Sequence, residues 1–468
     1  MSDEKASLST SFDALIIGTG QAGKPLAGAL AKAGLKTAIV ESDRVGGTCV
    51  VRGCTPTKTM VASARVAHLA RRAGDYGIRT GSVSVDMEAV RRRKRDIVDS
   101  WTEGGRKGLE RLDGVELVFG EARFVGERTV EVVNPGQAKR RLSADRVFIN
   151  AGARPAVPPI DGLDQVPYLD STSIMELGEV PDHLIVLGSG FVGLEFAQMF
   201  RRFGADVTTI ERGPRLASRE DDDVSDGLRE ILEEDGLRVL TDTEVTTVAN
   251  RNGGVEVRAR GPDGKSTHAG SHLLVATGRT PNSDRLNLEA TGLEADHRGF
   301  IPVDARLETG VEGIWALGDI TGHAPFTHTS YDDYRIVEAN LLNGGDRTTD
   351  DRILTYAVFT DPQLGRVGLT EREAREEGRD VRVAKLPMSR VARAIETDET
   401  RGFMKAVVDA GSGEILGAAV LGVEGGEIAA VLKVAMMGGL PYTALRDAVL
   451  AHPTLAESLN NLFMALDD

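Results

Sequence analysis

The sequence predicts an α/β fold made of two similar three-layer domains, in which strands alternate with helices, and a C-terminal α+β domain. The apolar runs Phe12–Ile17 and Leu184–Leu187 each end in a glycine-rich turn and continue into a helical stretch and a second strand. From about Asp346 onward the pattern changes, and strand-like segments such as Phe403–Val408 mix with helices. Regular alternation of strands and helices is typical of parallel sheets with helical crossovers, whereas mixed segments are typical of α+β domains.

The first unit has the spacing of a dinucleotide-binding turn. Gly18, Gly20 and Gly23 follow the strand that begins at Phe12, and the next strand ends in Glu41. Glycines let the backbone approach a pyrophosphate, and the helix N-terminus that follows stabilises its charge. Glu41 would accept hydrogen bonds from a ribose. An ordinary turn can carry the same glycines, but the order strand, turn, helix, strand and acid favours nucleotide binding.

The pattern recurs in the second unit. Gly188, Gly190 and Gly193 follow the strand Leu184–Leu187, and a later strand ends in Glu211. The interval from the first glycine to the acid is 23 positions in both units. Two units with matching internal spacing predict two Rossmann-type domains that hold two different dinucleotides. One would be a permanent redox cofactor and the other its reductant.

The acid of the second unit bears on the identity of that reductant. Glu211 favours NADH, because a carboxylate accepts from the ribose hydroxyl and repels a 2′-phosphate. Arg212 and Arg215 lie nearby in the sequence and leave NADPH open. We therefore expect NADH or NADPH, with NADH favoured.

Cys49 and Cys54 are the only cysteines in 468 residues. One pair makes no disulfide framework, and the other ligands of a closed zinc site are missing. A redox dithiol is the simplest use, and two buried apolar cysteines are the alternative. Residues five apart in an ideal helix have Cα atoms about 8 to 9 Å apart, too far for a disulfide. We therefore expect a loop that bends into a helix near Thr55, with Cys54 at its N-terminus, where the dipole favours a thiolate.

Composition excludes several classes of partner. The chain is 41% hydrophobic and 27% charged, as in ordinary globular proteins, and its formal net charge is −15. An acidic surface argues against nucleic acid and against an anionic membrane. The N-terminal stretch Met1–Ser11 is polar, and no segment has 18 uninterrupted apolar residues. We expect a cytoplasmic protein, where thiols stay reduced and a cysteine pair is catalytic rather than structural.

Further turns suggest how the domains are divided. Strand-like alternation over Phe119–Val133 and Arg141–Ile149 predicts a small β excursion inside the first domain. The segments that close the two units carry Gly152 and Gly278, and a strand soon after the second unit ends in Asp319. The predicted division is a first domain at 1–150, a second at 151–275, a return to the first at 276–345, and a C-terminal domain at 346–468.

Together these motifs resemble the flavoprotein pyridine nucleotide-disulfide oxidoreductases, the superfamily of dihydrolipoamide dehydrogenase, glutathione reductase and mercuric reductase. The resemblance covers nearly everything from Phe12 to about Leu466. It implies FAD on the first unit, NAD(P)H on the second, and a two-fold homodimer built by the C-terminal domain. It also implies that electrons pass from NAD(P)H through the flavin to a redox disulfide of Cys49 and Cys54.

The resemblance assigns roles to individual residues. Cys54 matches the thiolate that contacts the flavin, and Cys49 matches the interchange thiol that meets the substrate. Lys58 matches the residue near the flavin ring that pairs with Glu195. Phe191 falls where an aromatic gate often covers the nicotinamide pocket.

The C-terminal sequence His-Pro-Thr-x-x-Glu resembles an acid–base dyad supplied by the partner subunit, formed in this chain by His452 and Glu457. A neutral imidazole can take a proton from Cys49 and return it to a leaving thiol. Asp319 matches the residue that bonds the sugar-like chain of the flavin. The complete set of expected cofactor contacts is, for FAD, Gly18, Gly20, Gly23, Glu41, Gly47, Thr48, Lys58, Gly152 and Asp319, and, for NAD(P), Gly188, Gly190, Phe191, Gly193, Glu211 and Gly278.

Departures from the family bear on the electron acceptor. Mercuric reductases normally carry extra C-terminal cysteines and usually a tyrosine at the position of His452, and this chain has neither. Thr400–Lys405 nevertheless looks like the mercuric-reductase branch. Gly439–Asp447 and Asp332–Val337 look like the reactive-chlorine-resistance flavoproteins, a group associated with NAD(P)H-dependent reduction of copper(II). These likenesses imply a small disulfide or a soft metal ion as acceptor.

Other functions stay open at this point. One is dihydrolipoamide dehydrogenase or another low-molecular-weight disulfide reductase. Another is a non-catalytic flavoprotein redox sensor, which would need no acid–base dyad. A third is an FAD enzyme that passes electrons directly to quinone or oxygen. Arg52, between the cysteines, is expected to favour the thiolate and attract anionic substrates, so that Arg52→Ala should raise the thiol pKa.

Overall fold

The predicted α/β fold is confirmed in a computed structural model, which describes residues 8–251 and 253–467. The polar stretch Met1–Ser11 lies partly outside the described residues. Its last four residues do not form a tail, because the first strand already begins at Leu8. Within the described ranges, no helix combines the length and the apolar character needed to cross a membrane.

The described residues contain 21 strands. Their bounds in chain order are β1 Leu8–Ile17, β2 Thr37–Glu41, β3 Val115–Phe119, β4 Glu121–Gly126, β5 Thr129–Val133, β6 Arg140–Ile149, β7 Ala153–Pro155, β8 His183–Leu187, β9 Asp206–Ile210, β10 Arg238–Leu240, β11 Glu244–Arg251, β12 Gly254–Gly261, β13 Gly264–Gly270, β14 His272–Val275, β15 Arg279–Pro281, β16 Ile314–Ala316, β17 Thr355–Val358, β18 Gln363–Gly368, β19 Val381–Pro387, β20 Phe403–Asp409 and β21 Ile415–Gly422.

The same residues contain 12 α-helices. Their bounds are α1 Gly23–Lys32, α2 Gly47–Val51, α3 Cys54–Arg71, α4 Met87–Glu110, α5 Phe191–Phe203, α6 Asp222–Glu234, α7 Thr327–Leu342, α8 Glu371–Glu376, α9 Ala392–Glu396, α10 Gly425–Met437, α11 Tyr442–Arg446 and α12 Ser458–Met464.

One compact unit comprises residues up to 59, 91–156 and 279–352. Its seven-stranded sheet has the order β3-β2-β1-β6-β5-β4, with β16 also paired to β6. Strands β3, β2, β1, β6 and β16 are parallel, and β4, β5 and β6 are antiparallel. The predicted β excursion is therefore confirmed. All five residues of β2 are buried, as expected of a parallel strand covered on both faces.

The other compact unit comprises residues 60–90, 157–278 and 353 onward. It holds a parallel sheet of order β10-β9-β8-β14 and an antiparallel sheet β11-β12-β13. Its third sheet, β17-β18-β21-β20-β19, is antiparallel and belongs to the C-terminal segment. Buried residues of α10 and α12, among them Leu432 and Leu462, share one apolar core with this sheet. The α+β character predicted for the C-terminal segment is therefore confirmed, while the four-part domain division stays a prediction.

Candidate active site

The first glycine turn connects β1 to α1 and leaves no room for side chains. Gly18 has a φ of +104°, and a Cβ there would lie 2.3 Å from the Asn150 carbonyl oxygen. A Cβ on Gly20 would lie 2.7 Å from Asn150 Oδ1, and one on Gly23 would lie 2.1 Å from the Gly18 carbonyl oxygen. Asn150 Oδ1 also accepts the Gly23 amide over 3.0 Å. Asn150 therefore fixes the turn from the end of β6, a role that the sequence did not reveal.

Glu41 closes this turn through a neighbour that the sequence reasoning missed. The amide and the hydroxyl of Thr19 both donate to Glu41 Oε2, over 3.2 and 2.5 Å. Glu41 Oε1 accepts the Asp43 amide over 2.9 Å. Thr19 Oγ1 in turn accepts the Gly46 amide over 3.1 Å, at the start of the cysteine segment. The sequence does contain a signal for this contact, since both units have a small hydroxyl residue between the first two glycines.

The two cysteines lie in two separate helical segments. Cys54 is the first residue of α3, as predicted. Cys49, however, lies in the short helix α2 and not in a loop. The helical path breaks at Arg52 and Gly53, and α3 begins at the next residue. This break brings the two thiols within hydrogen-bonding contact. Cys49 is half-buried, and Cys54 is exposed.

The surroundings of the thiols decide where a proton is held. The hydrogen bond with Cys54 and burial raise the pKa of Cys49 far above its ordinary value, whereas Thr327 and the Lys58 cation act in the opposite direction. Cys54 Sγ lies 3.2 Å from Thr327 Oγ1. Thr327 is the first residue of α7, 273 positions away in the sequence, so sequence spacing gave no sign of it.

Arg52 does not act as a free cation beside the thiols. Its guanidinium pairs with the Asp43 carboxylate, and both side chains are about half exposed. This pairing offsets the charge that the sequence analysis assigned to thiolate stabilisation. Lys58 is the cation that lowers the pKa of Cys49. The effect expected for Arg52→Ala is correspondingly smaller.

Asp319 lies in a 3-10 turn, Gly318–Thr321, directly after β16. Burial raises its pKa, and the Arg279 guanidinium, with Nε 3.7 Å from Asp319 Oδ2, opposes that shift. The buried Asp333 carboxylate accepts the Gly318 amide over 2.6 Å and so holds the turn that carries Asp319. Asp333 is a further residue that the sequence analysis did not single out for this role.

The remaining first-unit glycines occupy conformations that favour glycine. Gly47 has a φ of +63°, and a Cβ there would lie 2.7 Å from the Gly20 Cα, so the cysteine segment passes directly over the glycine turn. Thr48 follows it in α2. Gly152 has a φ of +65°, and apart from its two chain neighbours no atom of the described residues lies within 4 Å of a Cβ placed on it.

The second glycine turn, between β8 and α5, repeats this architecture. A Cβ on Gly188 would lie 2.6 Å from the Ala276 carbonyl oxygen, and one on Gly193 would lie 2.2 Å from the Gly188 carbonyl oxygen. The Ser189 amide and hydroxyl donate to Glu211 Oε2 over 2.9 and 2.7 Å. Gly190, in contrast, faces open space. Gly278, shortly after β14, has a φ of +145°.

Phe191 and Glu195 lie on the first turns of α5. The Phe191 ring lies 5.2 Å from the ring of Tyr356 between centroids. Glu195 is buried, and its Oε1 accepts the Phe359 amide over 2.8 Å. The pairing of Glu195 with Lys58 stays a prediction.

His452 and Glu457 are brought together as expected of a dyad. His452 Nδ1 lies 3.0 and 2.9 Å from the two carboxylate oxygens of Glu457. The carboxylate therefore favours the tautomer with a proton on Nδ1 and leaves Nε2 as the proton acceptor. The imidazole is 67% exposed in the single chain, so that this face is accessible to another molecule.

The family model of the pyridine nucleotide-disulphide oxidoreductases matches residues 12–333, and the model of that family's dimerisation domain matches residues 354–463. The chain belongs to this family. The match accounts for both glycine turns and for the cysteine segment within one architecture, and it assigns a dimerisation domain to the C-terminal sheet.

Individual relatives are similar to this chain over nearly its full length. Probable pyridine nucleotide-disulfide oxidoreductase RclA of Escherichia coli (strain K12) is 39% identical over 456 residues, which are 97% of this chain and 98% of the relative. A mercuric reductase of Streptomyces lividans is 36% identical over 451 residues, 96% of this chain and 95% of the relative. The solved Cu(II) complex of the HOCl-induced flavoprotein disulfide reductase RclA from Escherichia coli has a TM-score of 0.89 and 38% identity, and covers 97% of this chain and 99% of its own.

The chain is therefore a flavoprotein oxidoreductase that uses FAD and NAD(P)H, as predicted. The first unit fits FAD, because the turn at Gly18–Gly23 excludes side chains where a pyrophosphate would approach. Arg279 Nε is buried and has no hydrogen-bond partner among the described residues, which leaves a donor beside Asp319. When bound, FAD supplies an acceptor for two electrons that can pass them on to a disulfide.

Proposed function

We propose that this enzyme uses NADH to reduce copper(II), or a soft metal ion, at the dithiol of Cys49 and Cys54. The observation that carries the proposal is the dithiol itself. Cys49 in α2 is in hydrogen-bonding contact with the exposed Cys54 at the start of α3, beside the Lys58 cation. Thiolates are soft ligands that select copper(I) over hard cations. The reduced pair would therefore bind copper at the point where the electrons leave the protein.

The relatives support copper more than mercury. The RclA structure matched above is a Cu(II) complex of that protein. This chain has no cysteines beyond Cys49 and Cys54, so it offers no second cysteine pair to deliver a metal ion. The chain's own residues would act in sequence. Cys54 and Cys49 give up two electrons and two protons and close to a disulfide, and Lys58 stabilises the thiolate that forms when the pair is reduced again.

Stoichiometry and proton balance test this proposal. One NADH and two copper(II) ions give NAD⁺, two copper(I) ions and one released proton, whereas one NADH, one proton and one disulfide give NAD⁺ and two thiols. Anaerobic turnover with a copper(I)-specific chelator should therefore acidify a weakly buffered solution. Failure of copper(II) to support NADH oxidation above the rate without enzyme would contradict the proposal.

A second candidate is reduction of a low-molecular-weight disulfide. The geometry of His452 and Glu457 favours it, because a leaving thiol needs a returned proton and a metal ion does not. We infer that the dyad acts on the dithiol of the other subunit of a homodimer. His452→Ala should then abolish most disulfide reduction and leave copper(II) reduction nearly unchanged. Equal losses with both acceptors would argue against separate use of the dyad.

NADH is the proposed electron donor. Glu211 already binds Ser189 at the ribose end of the site, and Arg215 pairs with Asp222 and Asp226, so its charge is engaged. A 2′-phosphate would therefore meet a carboxylate without a free guanidinium from Arg215. We expect kcat/KM to be at least tenfold higher with NADH than with NADPH, and comparable values would contradict this preference. The cytoplasm is the proposed location, since a thiol pair there stays available for redox chemistry.

A further inference from the structure

Glu220, Tyr356 and Arg366 form a buried polar group, here named the Glu220 cluster, which the proposed reaction does not use. Tyr356 on β17 and Arg366 on β18 are cross-strand neighbours, so their side chains lie on the same face of the C-terminal sheet. The Tyr356 hydroxyl donates to Glu220 Oε1 over 2.6 Å, and Arg366 Nε donates to Glu220 Oε2 over 3.0 Å. The side chains of Glu220 and Arg366 are 0% and 1% exposed.

The stability of the apolar core does not account for this cluster. Arg366 Nη1 is buried and has no hydrogen-bond partner among the described residues. A buried ion pair contributes little net stability compared with apolar side chains of the same volume, and in some proteins such pairs fix one arrangement of the chain. Burial and the Glu220 carboxylate raise the pKa of Tyr356, so that its hydroxyl keeps its proton and remains a donor.

The cluster contacts the first turn of α5. The Tyr356 ring lies 5.2 Å from the Phe191 ring between centroids, at a tilt of 36°. One turn further, Glu195 accepts the amide of Phe359. Phe191 and Glu195 are four residues apart and therefore lie on the same face of the helix. The N-terminal turn of α5, which follows the second glycine turn, is thus docked on the segment Tyr356–Phe359.

The cluster also anchors the loop that follows β9. This loop begins at Glu211 and ends at Glu220, where the cluster holds it. Its middle is tied back to the glycine turn, because the Ala217 amide donates to the Ser189 carbonyl oxygen over 3.1 Å. Ser189 is also the residue that donates to Glu211. Both elements that would touch the dinucleotide therefore depend on one buried group.

We propose that the Glu220 cluster positions the nucleotide-contacting elements of the second unit, with Tyr356 seating Phe191 and Glu220 anchoring the loop from Glu211. The inference rests on the proposed function, in which this unit binds NADH. Tyr356 is a positioning residue, since it acts through Phe191. Removal of its hydroxyl should loosen the seat of Phe191 at the nicotinamide end, while Arg366 still holds Glu220 and the adenosine end.

The test is a comparison of Tyr356→Phe with Tyr442→Phe in the FAD-loaded protein. Tyr442 is a matched control, because its exposure of 9% is close to the 8% of Tyr356. Among the described residues, its hydroxyl has one hydrogen-bond partner, Arg382 Nη1, at 3.4 Å. Calorimetric titration with NAD⁺ and with ADP-ribose separates the two ends of the ligand. We expect Tyr356→Phe to weaken NAD⁺ binding about fivefold, with ADP-ribose binding changed less than twofold and the control unchanged.

Three results would overturn this inference or its basis. If the wild type binds NAD⁺ and Tyr356→Phe binds it equally well, the positioning role would be overturned and the proposed function would not. Equal weakening of NAD⁺ and ADP-ribose would indicate general loosening of the unit and would also overturn it. Absence of NAD⁺ and NADH binding by the wild type would overturn the proposed function, and the inference with it. A parallel rise in the KM for NADH, with acceptor reduction by pre-reduced enzyme unchanged, would support the positioning role.

Discussion

The two glycine turns share one hydrogen-bond plan but differ at the middle glycine. In both units a hydroxyl residue between the glycines, Thr19 or Ser189, donates through its amide and its side chain to the acid 22 positions later. Gly20 lies under Asn150 and Gly47. For Gly190, in contrast, no atom in the described part of the chain beyond its two neighbours lies within 4 Å of a Cβ placed there. The first turn is thus enclosed by its own chain, and the second is open.

This difference corresponds to two ways of using a dinucleotide. An enclosed turn, with the buried Glu41 and the cysteine segment above it, suits a cofactor that stays bound through every turnover. An open turn with a partly exposed Glu211 suits a substrate that binds and leaves. This difference favours the prediction that FAD binds to the first unit and the nicotinamide nucleotide to the second, independent of the order of the motifs.

Alanine at the middle glycine should show the largest difference between the two turns. In Gly20→Ala the new Cβ would meet Asn150 Oδ1 at 2.7 Å, and overpacking of this kind costs about 1–3 kcal/mol. We expect this variant to purify with little FAD. Gly190→Ala should keep its FAD and its thermal midpoint, and should weaken NAD⁺ binding about tenfold, because the methyl group occupies the path of the pyrophosphate. The ratio of flavin absorbance to protein, together with calorimetry, checks both variants.

Substitution of the hydroxyl residues Thr19 and Ser189 should also affect the first unit more than the second, but by a smaller amount. Thr19→Val removes one donor to buried Glu41 and the acceptor of the Gly46 amide, at a cost of about 1–3 kcal/mol. Ser189→Ala removes one donor to Glu211, which is partly exposed and can bond water instead, so the cost should be below about 1 kcal/mol. Thermal unfolding of the two variants measures the difference. Equal destabilisation would show that the two turns are not enclosed to different degrees.

The smallest expected effect concerns the thiols, and it is a change in how the alkylation rate of Cys49 depends on pH. Because the thiolate is the nucleophile and the pKa of Cys49 is raised, alkylation of Cys49 in the reduced enzyme should be slow at neutral pH and should rise through the alkaline range without a plateau. Lys58→Met removes a cation that lowers this pKa and should slow the reaction several-fold. Cys54→Ser weakens the hydrogen bond that raises the pKa and should accelerate it. Mass spectrometry of each alkylated peptide gives the rates, and a plateau below pH 8 would refute the expected shift.

Local patterns predicted the fold and the backbone positions of the glycine turns and of Cys54. The glycine spacing, the terminal acids and the start of α3 at Cys54 all follow from short-range rules, and the structure confirms them. The helix at Cys49 was missed because Gly46 and Gly47 indicated a loop, although their positive φ angles permit a tight entry into α2.

Other residues were beyond sequence reasoning because their partners are distant in the chain. Thr327 lies 273 positions from Cys54, and Glu220 lies 146 positions from Arg366. Neither pair has a local periodicity or motif that would indicate the contact. Burial of a charged group such as Arg366 depends on tertiary packing, which the sequence pattern of β18 does not reveal.

The central claim is that electrons leave the flavin through Cys49 and Cys54, and Cys54→Ser tests it most directly. Anaerobic mixing with NADH should bleach the flavin of this variant within about twofold of the wild-type rate, since the nucleotide site is untouched. Its NADH-dependent reduction of copper(II) should fall to the rate measured without enzyme. Copper(II) reduction at the wild-type rate in Cys54→Ser would show that electrons reach the acceptor without the dithiol and would contradict the account.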